Sequence, residues 1–412
     1  MTTRHIAILS TILFVIHVAV GLSVDQFTIT GDGPEYLRMA ENLLGGNGFS
    51  YDGVNPVVGK PPGFSLLVAA YLSLFGTLTG FHLFQLLLLF LGYFSIASVA
   101  RKSFGHIAGL LVLTFLVAVD PIRDLAANLM SEPLFLALFG SGMFALYLSL
   151  KKNSIFHGIA AGVLFGLATY VRPISLFWPV MAAPILWLVN RRHAHIILAI
   201  VTAHLLIVGP WIVRNFVQFD RVVPVVANWG PMYGMTDNEI WTTHATEGWV
   251  GGFQNEKFVS LIGSDFPYNW APQERLREAT LSGIRADVTG WISRCVRQSF
   301  RAWTYVPGTK SWEWLRPTLY WLGRGVMLVF FLACALGYLF YMKRDPDLTT
   351  ILVGQALYSG LLLFPVTVES RYLIPVYACL MPLAAIGALN FIKRFMMNSG
   401  MTRNTSGHDS VS

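Results

Sequence analysis

The feature that most constrains this chain is a succession of long apolar runs whose ends are marked by pairs of Lys and Arg. About 20 apolar residues in a helix cross the roughly 30 Å hydrocarbon core of a bilayer with every backbone group paired internally. Runs of this kind occupy 6–24, 81–100, 106–119, 132–150, 155–170, 174–190, 196–213, 318–342, 348–366 and 372–391. The expected fold class is an all-α polytopic membrane protein with about ten transmembrane helices. Composition excludes an ordinary soluble domain: 54% of the 412 residues are hydrophobic and only 12% charged, against about 25% charged in soluble domains. The net charge of +7 is spread between apolar runs and forms no basic face, which excludes a nucleic-acid partner. Cys295 lies in a polar stretch and Cys334 and Cys379 in apolar runs, so neither a disulfide framework nor a structural metal is indicated. The first run, behind Arg4 and His5, is too long for a signal-peptide core and lacks a cleavage site, so it reads as an uncleaved first helix.

An eleventh apolar stretch, 63–80, is settled by parity. If it does not cross, Arg4, Arg101–Lys102, Lys151–Lys152, Arg191–Arg192, Lys343–Arg344 and Lys393–Arg394 all fall on one side, as the positive-inside bias requires. The stretch is therefore expected to be interfacial or re-entrant, with both termini cytoplasmic. The expected organisation is an N-terminal transmembrane module (1–213) with outer loops at 25–62 and 120–131, a Trp-rich outer cap (214–316), a C-terminal transmembrane module (317–392) and a disordered tail (393–412).

Ionisable residues concentrate in the outer segments. In the first loop, TGDGPEYLRMAENLLGG, the apolar positions Tyr36, Leu37, Ala40, Leu43 and Leu44 recur at helical spacing after Pro34, predicting an amphipathic helix on the membrane face. Asp32, just before it, is either a helix cap or a base held at the surface. In VVGKPPG, Lys60 precedes two prolines that fix an extended entry, leaving it as a snorkelling anchor or an anion contact. In the second loop Glu132 opens a helix with Asp120 and Asp124 nearby, and there a carboxylate is also welcome for dipole reasons. Arg172, Arg214, Glu369 and Arg371 sit at helix ends on the same side, and the arginines break the cytoplasmic bias. Such a cluster at membrane depth suits a polar cavity for an anionic lipid headgroup, with guanidinium forks matched to phosphate. From Pro272 to Trp303 the cap carries an apolar stripe (Leu276, Ile284, Val288, Trp291, Ile292, Cys295) with Arg294, Arg297 and Arg301 on another face, a helix against headgroups or a lid. Of the histidines only His244 lies in the cap, and no HExxH, nucleophile elbow or phosphate-cradling glycine loop occurs.

In this order the motifs resemble the large superfamily of polyprenyl-phosphate-sugar-dependent membrane glycosyltransferases of GT-C fold, which includes protein O-mannosyltransferases and lipid A aminoarabinose transferases. The matching residues are Asp32 with Tyr36 and Ala40, KPPG at Lys60 to Gly63, SEPLF at Ser131 to Phe135, VRP at Val171 to Pro173, PWIVRN at Pro210 to Asn215, and ESRYLIP at Glu369 to Pro375. They run over nearly the whole chain. The resemblance implies transfer of a sugar from a polyprenyl-phosphate carrier to an unidentified acceptor on the outer face, with Asp32 as catalytic carboxylate, Lys60 as lipid-phosphate contact and Glu132 as second acidic position. Tyr36, Arg172, Arg214, Arg371 and Glu369 complete the expected donor site. No cofactor is certain; a divalent cation, if bound, would be held by Asp32, Asp124 and Glu132. The implied location is a bacterial inner membrane with a periplasmic site. A sugar-lipid transporter or flippase and a non-catalytic assembly subunit are the competing readings.

Overall fold

The structure, a computed structural model, describes residues 3–23, 27–118, 126–189, 191–237, 239, 241, 255–263, 265–304, 316–365 and 373–398. Among these residues the chain is helical, and strand character is confined to isolated bridges pairing Thr28 with Asn128, Ser50 with Pro56 and Val57 with Asn269. The helices of seven or more residues are α1 (Thr3–Ser23), α2 (Gly33–Leu44), α3 (Gly63–Phe75), α4 (Phe81–Phe104), α5 (His106–Ala118), α6 (Glu132–Lys152), α7 (Ile155–Val171), α8 (Trp178–Val189), α9 (Ala194–Phe219), α10 (Glu256–Ile262), α11 (Trp270–Ala286), α12 (Val288–Thr304), α13 (Arg316–Tyr341), α14 (Pro346–Leu363) and α15 (Ile374–Asn398). Among the described residues four segments are long and apolar enough to cross a membrane: Phe81–Phe104, Glu132–Lys152, Arg191–Phe219 and Val376–Met397. Shorter apolar helices stand beside them, including Ala7–Ser23, Ile155–Val171 and Gly325–Tyr341.

Local sequence explains where these helices begin and end. α6 opens on Glu132 and Pro133 and closes on Lys151 and Lys152, charges that complement the helix dipole, before Asn153 turns left-handed. α4 likewise ends on Arg101 and Lys102 before Gly105, which has φ 93°. Between helices, small residues replace the hydrophobic drive that lipid cannot supply. A Cβ on Gly92 would stand 2.6 Å from the Leu136 carbonyl oxygen, so α4 and α6 touch backbone to backbone. Gly337 and Gly387 do the same for α13 and α15.

Ion pairs fix which helix ends lie together. Lys151 Nζ is 2.6 Å from Asp345 and His193 Nε2 3.2 Å from Asp347, joining the end of α6 and the start of α9 to the start of α14. The guanidinium of Arg394 lies 4.4 Å from the Phe340 ring, and the α1 residues Ala7 and Ser10 border a groove with Arg101. The ring of Phe104 meets that of Tyr341 at 4.4 Å, so the six basic stations picked out by parity gather at one end of the bundle, and the described residues of the first two loops, with Arg172 and Arg214, lie at the other.

Helix α3 belongs wholly to that second end. Gly63 abuts the backbone of Tyr170 at the close of α7. After a turn in which Tyr71 donates to the Thr79 carbonyl (2.6 Å), α4 starts beside the second loop, with Gln85 bonded to the Asn128 and Met130 carbonyls. The stretch 63–80 therefore enters and leaves at one level, as parity requires.

Two expectations change. The predicted single amphipathic helix from 272 to 303 is two helices broken at Asp287, whose φ of −145° and ψ of 71° are not helical. The break splits the stripe: Leu276 and Cys295 are buried, whereas Val288 and Ile292 face outward. The tail expected to be disordered from 393 instead continues α15 to Asn398, and 399–412 lie outside the described residues.

Candidate active site

Asp32 stands at the N-terminus of α2 yet makes no side-chain cap bond. Its carboxylate instead accepts from Lys60 Nζ at 3.2 Å. Pro34 sets the first turn of α2, which carries Glu35 onto the same side as Asp32, and Glu35 Oε2 lies 2.7 Å from the same ammonium. Lys60 is only 7% exposed. The Tyr268 ring lies 4.6 Å and the Tyr36 ring 5.2 Å from Nζ, so the ammonium is held by two carboxylates and two aromatic faces. Burial opposes the Lys60 charge, but Tyr268, Asp32, Tyr36 and Glu35 together hold it well above the usual lysine range. Burial raises the Glu35 carboxyl above its ordinary value against the pull of Lys60, with Asp32 adding to the rise.

The loop carrying Lys60 is pinned through its backbone. Val58 and Gly59 both donate to the Tyr268 carbonyl at 2.9 Å, and Ala227 donates to Val58 at 3.0 Å. A Cβ on Gly59 would lie 2.7 Å from the Tyr268 ring, so only glycine admits this approach. The cap from 214 onward thus rests directly on the Lys60 loop. It has a small core of its own in Tyr233, Phe258, Ile262 and Leu276. Arg294, expected on a helix against headgroups or in a lid, is 4% exposed and donates to the Met235 and Thr236 carbonyls at 2.8 and 2.9 Å, a tie within the cap.

The second loop is stitched to the first. Thr28 and Thr30 both donate to the Asn128 side chain, and Thr28 N–H donates to the Ala127 carbonyl at 2.9 Å. This brings Tyr36 to Ser131, its hydroxyl 3.5 Å from Oγ. The next residue, Glu132, is 3% exposed in its side chain and accepts from Arg172 at 2.5 Å, across from the close of α7. Its position is therefore fixed by an ion pair in addition to the helix dipole. Arg214 does not join these groups. It donates to Asn215 (2.9 Å) and lies over the rings of Trp211 and Phe219, reaching the first loop only at the Val57 carbonyl, 3.5 Å away. Asp120, Asp124, His244, Glu369 and Arg371 lie outside the described residues.

Of the expected residues, the structure brings Asp32, Tyr36 and Lys60 into contact and sets Glu132 with Arg172 beside them. Glu35 and Tyr268 complete the first group and were not singled out from sequence. Glu35 carried a usable signal, since residues three apart in a helix share a face; Tyr268 reaches Lys60 only through the fold. Among the described residues no three His, Cys, Asp or Glu side chains converge as a metal set, and Asp124, the third member of the expected set, lies outside them.

Comparison with solved structures shows that this chain shares its fold with membrane oligosaccharyltransferases of GT-C fold. The archaeal oligosaccharyltransferase AglB from Archaeoglobus fulgidus, in complex with an inhibitory peptide and a dolichol-phosphate, matches 98% of this chain and 52% of its own at TM-score 0.56 and 12% identity. The Archaeoglobus fulgidus oligosaccharyltransferase tethered to an acceptor peptide matches 100% of this chain and 52% of its own at TM-score 0.57 and 13% identity. ArnT from Cupriavidus metallidurans bound to undecaprenyl phosphate aligns over 98% of this chain and 81% of its own at TM-score 0.46 and 14% identity. This chain spans about half the length of the archaeal enzymes. No protein-family model matches it, and no curated protein matches it by sequence.

Proposed function

We propose that this protein is a membrane glycosyltransferase that moves a sugar from a polyprenyl-phosphate carrier to an acceptor hydroxyl or amine at the site end of the bundle, with inversion. The observation that carries the reading is the Asp32–Lys60 contact. A carboxylate that caps no helix is held against a buried cation, with the Glu132–Arg172 pair beside them. A glycosyl phosphate already has a good leaving group, so the reaction needs one base and a cationic clamp, where a glycosidase needs paired carboxylates.

In this reading Asp32 accepts the proton from the acceptor as its oxygen or nitrogen bonds to the anomeric carbon. The bond from that carbon to the phosphate oxygen breaks, and its electron pair leaves with polyprenyl phosphate. Lys60 stabilises the negative charge that gathers on the departing phosphate, with Arg172 as second candidate and Arg371 as a further one. Arg214 is better suited to supporting the Lys60 loop, since its reach ends at Val57. Glu132 then orients Arg172, and Tyr36 walls the ammonium. The clustering of the basic stations at the opposite end of the bundle supports cytoplasmic termini and an outer-facing site.

The test is donor consumption by purified protein given a radiolabelled polyprenyl-phosphate sugar, scored as released polyprenyl phosphate. Asp32→Asn is expected to lower turnover on the order of 100-fold or more while leaving the protein folded. Near wild-type turnover would remove Asp32 as the base.

A further inference from the structure

Lys60 is hemmed in by Glu35 as well as by Asp32. An ammonium has three N–H donors and no other way to meet an anion. Around Lys60, Asp32 takes one direction at 3.2 Å and Glu35 another at 2.7 Å, and the rings of Tyr268 and Tyr36 close its flanks. With 7% of its surface exposed, the group as it stands has no face open to a phosphate. Any phosphate reaching Nζ must displace a carboxylate. Asp32 belongs to the backbone turn that starts α2, and the reading above requires it to stay for the proton. Glu35 is inside the first helical turn, holds the shorter contact, and is attached through a longer, more rotatable stem.

We propose that Glu35 is a placeholder anion, occupying at Lys60 the position that the donor phosphate takes, and that donor binding expels it. This rests on the transferase reading and adds a positioning residue to it. The groups around Glu35 are Lys60 and Asp32 on one side, the Tyr36 and Tyr268 rings, and the Glu132–Arg172 pair beyond Tyr36. Once expelled, Glu35 loses its cation while remaining near Asp32 and the incoming phosphate, so it takes up a proton. Donor binding is thereby coupled to proton uptake, and an ionised Glu35 competes with the ligand. Burial raises the Glu35 pKa, which moves this competition toward neutral pH.

The experiment measures the affinity of the detergent-solubilised full chain for undecaprenyl phosphate between about pH 5 and pH 8 in wild type, Glu35→Gln and Glu35→Ala. The lipid's own titration is common to all three and cancels in the ratio of dissociation constants. The ratio of wild type to Glu35→Gln is expected to be smallest at the acid end, toward which protonation of Glu35 grows. It should rise to about tenfold at the basic end, the wild type binding more weakly. Glu35→Ala should move in the same direction, which guards against a glutamine that simply packs badly. Equal or weaker binding by both variants across the range would overturn the placeholder role and leave the transferase reading standing. Absence of binding by all three proteins would overturn both.

Discussion

At the scale of single residues, carboxylates are paired with cations by tertiary structure, and the two pairs differ in kind. Glu132 and Arg172 are nearly sealed, at 3% and 12% side-chain exposure. Removing one member of such a pair strands the other away from water, typically at a cost of about 3–5 kcal/mol, whereas removing both strands neither. Glu132→Gln should therefore lower the unfolding temperature in detergent more than the double change Glu132→Gln with Arg172→Gln. If the single change were as stable as wild type, the pair would not hold the second loop. The residues of these pairs were readable from the chain because charge at membrane depth is costly enough to stand out. Their pairing was not. Whether Asp32 caps a helix or meets a lysine depends on where a loop 28 residues away passes, and Tyr268 carries no local mark of its role. Arg294 was misread for the same reason: its periodic position on a polar face gave no sign that the Met235 and Thr236 carbonyls would come to meet it.

Among elements, α3 decides where Lys60 sits. Its thirteen residues at 1.5 Å each give a helix of about 20 Å, and both of its ends lie among the site loops. It begins against the backbone at the end of α7, where a Cβ on Gly63 would approach the Tyr170 carbonyl carbon and oxygen to 2.8 Å. Gly63→Ala must therefore push the start of α3, and with it the Lys60–Pro61–Pro62 segment. A cost of about 1–3 kcal/mol in unfolding and a fall in donor turnover are expected. Gly209→Ala, where nothing stands within 4 Å of the new Cβ, should leave both unchanged. The pair of measurements separates a packing effect from a general effect of adding a methyl group. Parity alone had assigned 63–80 to one side, because a topological rule needs only the order of charges and apolar runs. The break at Asp287 escaped the sequence reading since its neighbours continue a helical pattern on both sides.

Across the whole molecule, the division into a basic end and a site end fixes which positions share a compartment. Val54, 82% exposed in the first loop, belongs to the site end, and Lys151, paired with Asp345, to the opposite end. Val54→Cys should react with a membrane-impermeant maleimide added to intact cells, and Lys151→Cys should react only after the membrane is opened. Labelling of residue 151 in intact cells would invert the proposed orientation. The bundle itself was legible at this scale since hydrophobic length and charge position are written directly into the chain, while the cap's placement came only from contacts between distant segments.

The perch of Lys60 on that cap has a consequence of its own. Val58 and Gly59 are held by Tyr268 and Ala227 through main-chain hydrogen bonds, and a main-chain bond is indifferent to the side chain beside it. Outside Gly59 and Tyr268 themselves, this seam should accept many substitutions and almost no change in length. A residue lost between Val223 and Ala227 slips the register by one peptide, turns the Ala227 donor away from Val58, and leaves every side chain of the site intact but misaimed.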